Sequence, residues 1–240
     1  MNKFFLWLGI SLSLAGCTFI SDNYAPVIDV NTIETIPKAG LYRVKTDDTL
    51  YSIAWRYGLD YKSLAAWNHI PPPYAIKIDQ LLSLKPVKTH KIQKTLSSSA
   101  KSTAPTTTPV VTTKEPSVAV ALWLWPANGH VIGKFSSQNK GINIGGKLGD
   151  PIYATAPGKV VYSGEGLRGY GKLIILKHNA TYLSAYAHND TILVQNGDWI
   201  TAGQKIAEMG KTGTQKIMLH FEIRRQGKPV NPLIYLQSKK

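Results

Sequence analysis

The sequence predicts a multidomain chain: a small βααβ module followed by a mainly antiparallel β domain. Three observations carry this. Residues 41–85 read as strand, helix, helix, strand. Residues 86–120 are dominated by Lys, Ser, Thr and Pro and keep no amphipathic period. Residues 121–240 hold short apolar runs cut by glycines and turn signals at roughly 8–12-residue spacing, the pattern of an all-β domain. A length of 240 residues allows one or two domains.

The N-terminus reads as a secretion signal. Lys3 is its positive end and Phe4 to Leu14 its apolar stretch, too short to span a bilayer as a helix. Such a segment is expected to be removed, and the residues up to 40 that follow it to form a short tether, 17–40 if the signal ends at residue 16 as the resemblance given below implies. In the first module Tyr42-Arg43-Val44-Lys45 alternates like a strand. Asp48 or Thr49 can cap a helix carrying Leu50, Ile53, Ala54 and Tyr57 on one face, with Gly58 stopping it. Asp60 can cap a second helix ending at Asn68, before Pro71-Pro72-Pro73. Leu81 to Leu84 closes the module. So small a unit has a thin core, and Trp55 and Trp67 are expected to fill it or wall a groove. The 86–120 stretch cannot bury enough apolar surface to offset its ordering, so it is expected to be a disordered linker. Within 121–240, Tyr182 to His188 alternates as a strand that His188 ends.

The charge is unusual. Lys+Arg number 28 against 14 Asp+Glu, a net +14. Residues 121–240 carry 15 of the basic and 6 of the acidic side chains. The basic residues are dispersed and no nucleic-acid motif is visible, so nucleic acid is not an expected partner. Peptidoglycan, teichoic-type polymers, anionic lipid or an acidic protein fit better, with an ordinary positively charged solvated surface as the alternative. A single cysteine, Cys17, rules out a disulfide within the monomer.

Leu14-Ala15-Gly16-Cys17 resembles the bacterial lipobox. That resemblance implies cleavage before Cys17 and lipidation on it, with several acyl chains giving stable anchoring. Thr18, which is not Asp, implies by likeness to Gram-negative lipoproteins an outer-membrane anchor facing the periplasm.

Residues 41–85 resemble the LysM domain through Tyr42-x-Val44, Asp48-Thr49-Leu50-x-x-Ile53-Ala54, Leu64-x-x-x-Asn68 and Ile76-x-x-x-Gln80-x-Leu82. The family usually has Gly where Asp79 stands, and a shorter loop where the three prolines stand. LysM modules bind N-acetylglucosamine-containing glycans beside these loops. The resemblance makes Asp48, Thr49, Leu50, Pro72, Ala75 and Ile76 candidate sugar contacts, with packing and turn roles as the alternative.

From Trp125 onward the chain resembles the lysostaphin-type zinc endopeptidases. The carrying stretches include Gly149-Asp150-Pro151-Ile152-Tyr153-Ala154, Tyr186-Ala187-His188, Gly210-Lys211-Thr212-Gly213 and Met218-Leu219-His220-Phe221-Glu222. The family's early His and Asp ligands fall on Asn139 and Asn143. The first His of its late pair, which assists proton transfer, falls on Met218. Of the three ligand positions only His220 is an imidazole, and the second catalytic His is retained as His188. Two carboxamides and one imidazole are a poor zinc set, because zinc sites use thiolate, imidazole or carboxylate. No metal and no other cofactor is expected.

The order of lipobox, LysM and metal-less peptidase domain resembles the NlpD-type murein hydrolase activators. That resemblance implies a non-catalytic protein that binds a periplasmic N-acetylmuramyl-L-alanine amidase during peptidoglycan splitting. A vacated substrate groove suits a helix. Lys147, Tyr170, His188, His220 and Arg224 are the expected groove contacts, Tyr170 as an exposed residue in a Gly-flanked turn. Arg224 shares a strand face with His220. Ordinary solvated charge is the alternative for Lys147 and Arg224, and a satisfied strand-face histidine the alternative for His220. Two other readings stay open: a structural lipoprotein tethering membrane to peptidoglycan, and a zinc endopeptidase with altered ligands.

Overall fold

A computed structural model of the chain describes residues 34–86, 120 and 122–237. The expectations for the signal sequence, Cys17 and nearly all of the 86–120 linker fall outside them.

The first module is βααβ. Strand β1 (Leu41–Arg43) pairs antiparallel with β2 (Leu81–Ser83), Tyr42 opposite Leu82. Helix α1 spans Leu50–Arg56 and α2 spans Tyr61–Trp67. Thr49 starts α1 through a reciprocal cap. Its hydroxyl accepts the Ser52 N–H at 3.0 Å, and Ser52 Oγ accepts the Thr49 N–H at 2.9 Å. Gly58, at φ +63°, lets the chain leave the helix. The Asp60 carboxylate accepts the Ser63 N–H at 3.1 Å and starts α2. Asn68 ties the end of α2 to β2, donating to the Leu64 and Ser83 carbonyls and accepting the Ser83 N–H.

These contacts correct part of the sugar-binding expectation. Leu50 is 1% exposed and belongs to the core with Ile53, Leu64, Leu82 and Leu84, because the helix it starts turns it inward. Asp48 holds the β1–α1 turn, accepting from Tyr42 Oη at 2.6 Å and from the Lys45 N–H at 2.8 Å, and pairing with Arg56 at 3.3 Å. Pro72 and Ala75 stay exposed and Ile76 half-buried. Asp79 sits at φ 66°, the left-handed conformation that explains why a glycine is usual there.

The second module is an antiparallel sheet of ten strands, β3 (Val131–Gly133) to β12 (Lys228–Val230). Its centre is β4 (Ile142–Gly145), β11 (Met218–Arg225), β8 (Tyr182–Ile192), β7 (Lys172–Lys177) and β6 (Gly158–Gly164), in that spatial order. Strand β8 continues past His188 to Ile192, so His188 does not end it. Instead it bends there, His188 taking φ 66°. The sheet is buried on both faces. One face sends Ile174, Leu176, Leu219, Phe221 and Ile223 into a core closed by Trp123, Ile142 and Ile206. The other sends Leu173, Ile175, Leu183 and Ala185 into the same apolar cluster as the core of the first module. The two modules are therefore packed together, where the sequence suggests a freely tethered pair.

Replacing Thr49 with Ala removes the cap of α1. It should lower stability by about 1 kcal/mol, read as a reduced midpoint in urea unfolding. An unchanged midpoint would show that the cap contributes nothing there.

Candidate functional site

Alternation along β11 puts Met218, His220, Glu222 and Arg224 on one face of the sheet. Pairing with β4 sets Asn143 opposite His220, and pairing with β8 sets Ala187 on its other side. His220 is held at both ring nitrogens, Nδ1 against Asn143 Oδ1 at 2.7 Å and Nε2 against Glu222 Oε1 at 3.2 Å. Glu222 Oε1 also accepts from Tyr170 Oη at 2.7 Å, and Oε2 accepts from Arg224 Nε at 3.0 Å. The rings of Tyr170 and His188 each stand about edge-on to His220, centroids 6.1 Å apart.

The loops deliver the remaining side chains. Tyr170 lies between Gly169 and Gly171, both at positive φ. A Cβ on Gly171 would lie 2.2 Å from the Thr212 carbonyl oxygen, so only glycine lets this turn close. The Tyr170 carbonyl accepts the His188 N–H at 2.9 Å. His188 Nδ1 meets the Thr212 carbonyl at 2.8 Å, while its buried Nε2 has no partner among the described residues.

The cluster is strongly polarised. Burial alone would raise the Glu222 carboxyl, but the Arg224 guanidinium, helped by His220 and Tyr170, holds it at about 2. Burial, and then the Glu222 carboxylate, push the Tyr170 phenol upward. Burial brings His188 down to about 4, with His220 acting the same way and the Thr212 carbonyl opposing.

The residues that the resemblance to zinc endopeptidases puts at ligand positions do not fit a zinc ion. Asn139 turns away into its own loop, donating through Nδ2 to the Lys134 and Gly141 carbonyls at 3.0 and 3.1 Å. Asn143 and Glu222 engage both nitrogens of His220, and Met218 offers a thioether. Among the described residues no three His, Cys, Asp or Glu side chains gather where they could hold a metal.

Four of the five expected groove contacts come together: Tyr170, His188, His220 and Arg224. Lys147 stands apart in the exposed turn after β4, where its N–H donates to Asp150 Oδ2 at 2.6 Å. Two expectations need correction. Tyr170 is only 6% exposed despite its glycine-flanked turn, and Arg224 is 1% exposed, so neither is a solvated surface group. The first module covers them. Glu222 escapes sequence reasoning, although the alternation that joins His220 to Arg224 places it between them.

The comparisons agree with this architecture. Residues 42–85 match the LysM domain and residues 137–232 match Peptidase family M23. A Pseudomonas aeruginosa protein named Lipoprotein NlpD/LppB homolog is 45% identical over 94% of this chain and 89% of its own length. The Escherichia coli uncharacterized lipoprotein YgeR is 45% identical over 95% of this chain and 90% of its own. The Escherichia coli protein named Murein hydrolase activator NlpD is 41% identical over 82% of this chain and 68% of its own.

Acid should weaken the fold over two overlapping pH ranges. His188 and His178 both sit at about 4 in the folded chain, below their ordinary 6.5, because burial disfavours their charged forms. Between those values the unfolded chain binds more protons, so stability falls as pH drops from 6.5 towards 4. Glu222 extends the loss from 4.5 down to about 2. Urea midpoints at pH 7, 5.5 and 4.5 should decline in order; a flat series would refute this. Glu222→Gln strands a buried guanidinium and should cost about 3–5 kcal/mol, against a small effect if Arg224 were solvated.

Proposed function

Because the chain belongs to the family of NlpD/LppB lipoproteins, we propose that it is a non-catalytic activator of a periplasmic N-acetylmuramyl-L-alanine amidase in peptidoglycan splitting at cell division. In this reading lipid on Cys17 anchors the chain in the outer membrane, facing the periplasm. The LysM module holds peptidoglycan, with Pro72, Ala75 and Ile76 the exposed or half-exposed candidates for glycan contact. The peptidase-like domain presents the β11 face to the amidase, Tyr170, His188, His220 and Arg224 forming the contact and Lys147 adding charge at its rim.

One observation supports this above the others. The family's metal positions carry groups bonded to the protein itself, and His220 has neither ring nitrogen free for a metal. The fold is retained while its hydrolytic chemistry is not, which suits binding better than cleavage. The names of the relatives point the same way.

The test is release of dye from labelled peptidoglycan sacculi by the mature chain, a purified zinc amidase, or both. Release well above the amidase alone is expected only in the mixture. Lys147→Glu, an exposed change that leaves the buried cluster intact, should weaken that stimulation. Release by the chain alone, stopped by a chelator, would overturn the non-catalytic assignment. No stimulation of any periplasmic amidase, with sacculus binding intact, would leave a wall-binding tether as the function.

A further inference from the structure

The face proposed to bind the amidase is already occupied by helix α1 of the same chain. The Trp55 ring lies over the Arg224 guanidinium, whose carbon is 3.6 Å from the ring centroid. Arg224 Nη1 donates to the Trp55 carbonyl at 2.8 Å. That carbonyl belongs to the last turn of α1, at the negative end of the helix dipole, and Arg224 is its second donor beside the Gly58 N–H at 3.2 Å. Arg224 thus stacks on the aromatic side chain and caps the helix end at once. Beside it, Arg56 Nη2 donates to the Gly166 carbonyl at 3.0 Å. The β11–β12 turn reaches the α1–α2 junction so closely that a Cβ on Gly227 would lie 2.5 Å from the Leu59 carbonyl oxygen.

We infer that the LysM module is a reversible intramolecular cap on this surface, and that an activating partner binds only by displacing it. The inference rests on the activator reading for the identity of the partner, and on the contacts above for the cap. The seam is mixed: an apolar strip, Leu173, Ile175, Leu183 and Ala185, packs on the LysM core, and beside it lies a polar patch of Arg224, Glu222, Tyr170 and His220. When the module lifts, water can solvate these groups, so the exposed face is not a wholly apolar patch. Interfaces that must also exist apart are more polar than permanent ones. The chemistry of the resident defines that of its competitor: the end of a helix with an aromatic side chain over Arg224. Capping lowers the apparent affinity for that competitor by the fraction of chains that are open.

Gly227 provides a wedge outside both the cap's core and the polar cluster. Asn tolerates its positive φ of +76° better than other side chains, and its Cβ would collide with the LysM backbone. Phenylglyoxal modification of the mature chain, read by mass spectrometry, reports the seam directly. Arg224 is buried there and its neighbour Arg225 is exposed, giving a control in the same strand. In the wild type Arg224 should react at least about tenfold more slowly than Arg225. Gly227→Asn should close most of that gap, and should raise amidase-dependent dye release from sacculi in parallel. Trp55→Leu, which removes the stacked ring but keeps an apolar side chain, should act in the same direction.

Equal reactivity of Arg224 and Arg225 in the wild type would overturn the cap. So would an Arg224 still shielded in both variants, or one freed with no gain in stimulation while the wild type does stimulate. If Arg224 is freed but no form stimulates an amidase, the activator reading fails and the cap stands.

Discussion

Arg224 is a full positive charge removed from water, and such a charge is tolerated only when it is compensated on every side. Glu222 supplies the counter-charge, Trp55 the face of an aromatic ring, and the Trp55 carbonyl a terminal acceptor. The rest of the cluster follows from this arrangement. A carboxylate fixed by Arg224 is available to orient His220 and Tyr170, and His220 then reaches Asn143 across the sheet. His220 is thereby part of a hydrogen-bonded chain running from Asn143 in one module to the Trp55 carbonyl in the other.

The sheet explains why the two modules associate in this way. A sheet with both faces apolar has to be covered on both. The inner face finds its cover in Trp123 and the strands around it, while Leu173, Ile175 and Ala185 on the outer face find it in the LysM core. Each module supplies what the other lacks: the LysM unit is too small for a deep core, and the outer face of the sheet is covered only by that unit among the described residues.

Local chemistry was readable from the sequence and distant packing was not. Thr49 and Asp60 announce the helix starts because a cap is a contact within four residues. The ordered motifs and strand alternation place His220 beside Asn143 and on one face with Arg224. The burial of Arg224 and Tyr170 depends on α1, more than a hundred residues away in the chain, and no local pattern encodes that contact. One signal was available. Leu173-Ile174-Ile175-Leu176 is an unbroken apolar run, which marks a strand buried on both faces rather than one facing water. The bend at His188 left no such trace, since a non-glycine residue at positive φ inside a strand has no sequence signature.

The seam joins two parts of one polypeptide, which changes what strength it needs. Two parts of one polypeptide meet at an effective concentration that two separate molecules reach only when they too are gathered together. A contact too weak to hold two separate molecules together can therefore stay closed within one. On the proposal above, a soluble partner at far lower concentration must either bind much more tightly than α1 or be concentrated as well. Two proteins gathered on the same peptidoglycan meet the second condition. Selectivity for the right place then follows from local crowding, with no need for an unusually tight complex.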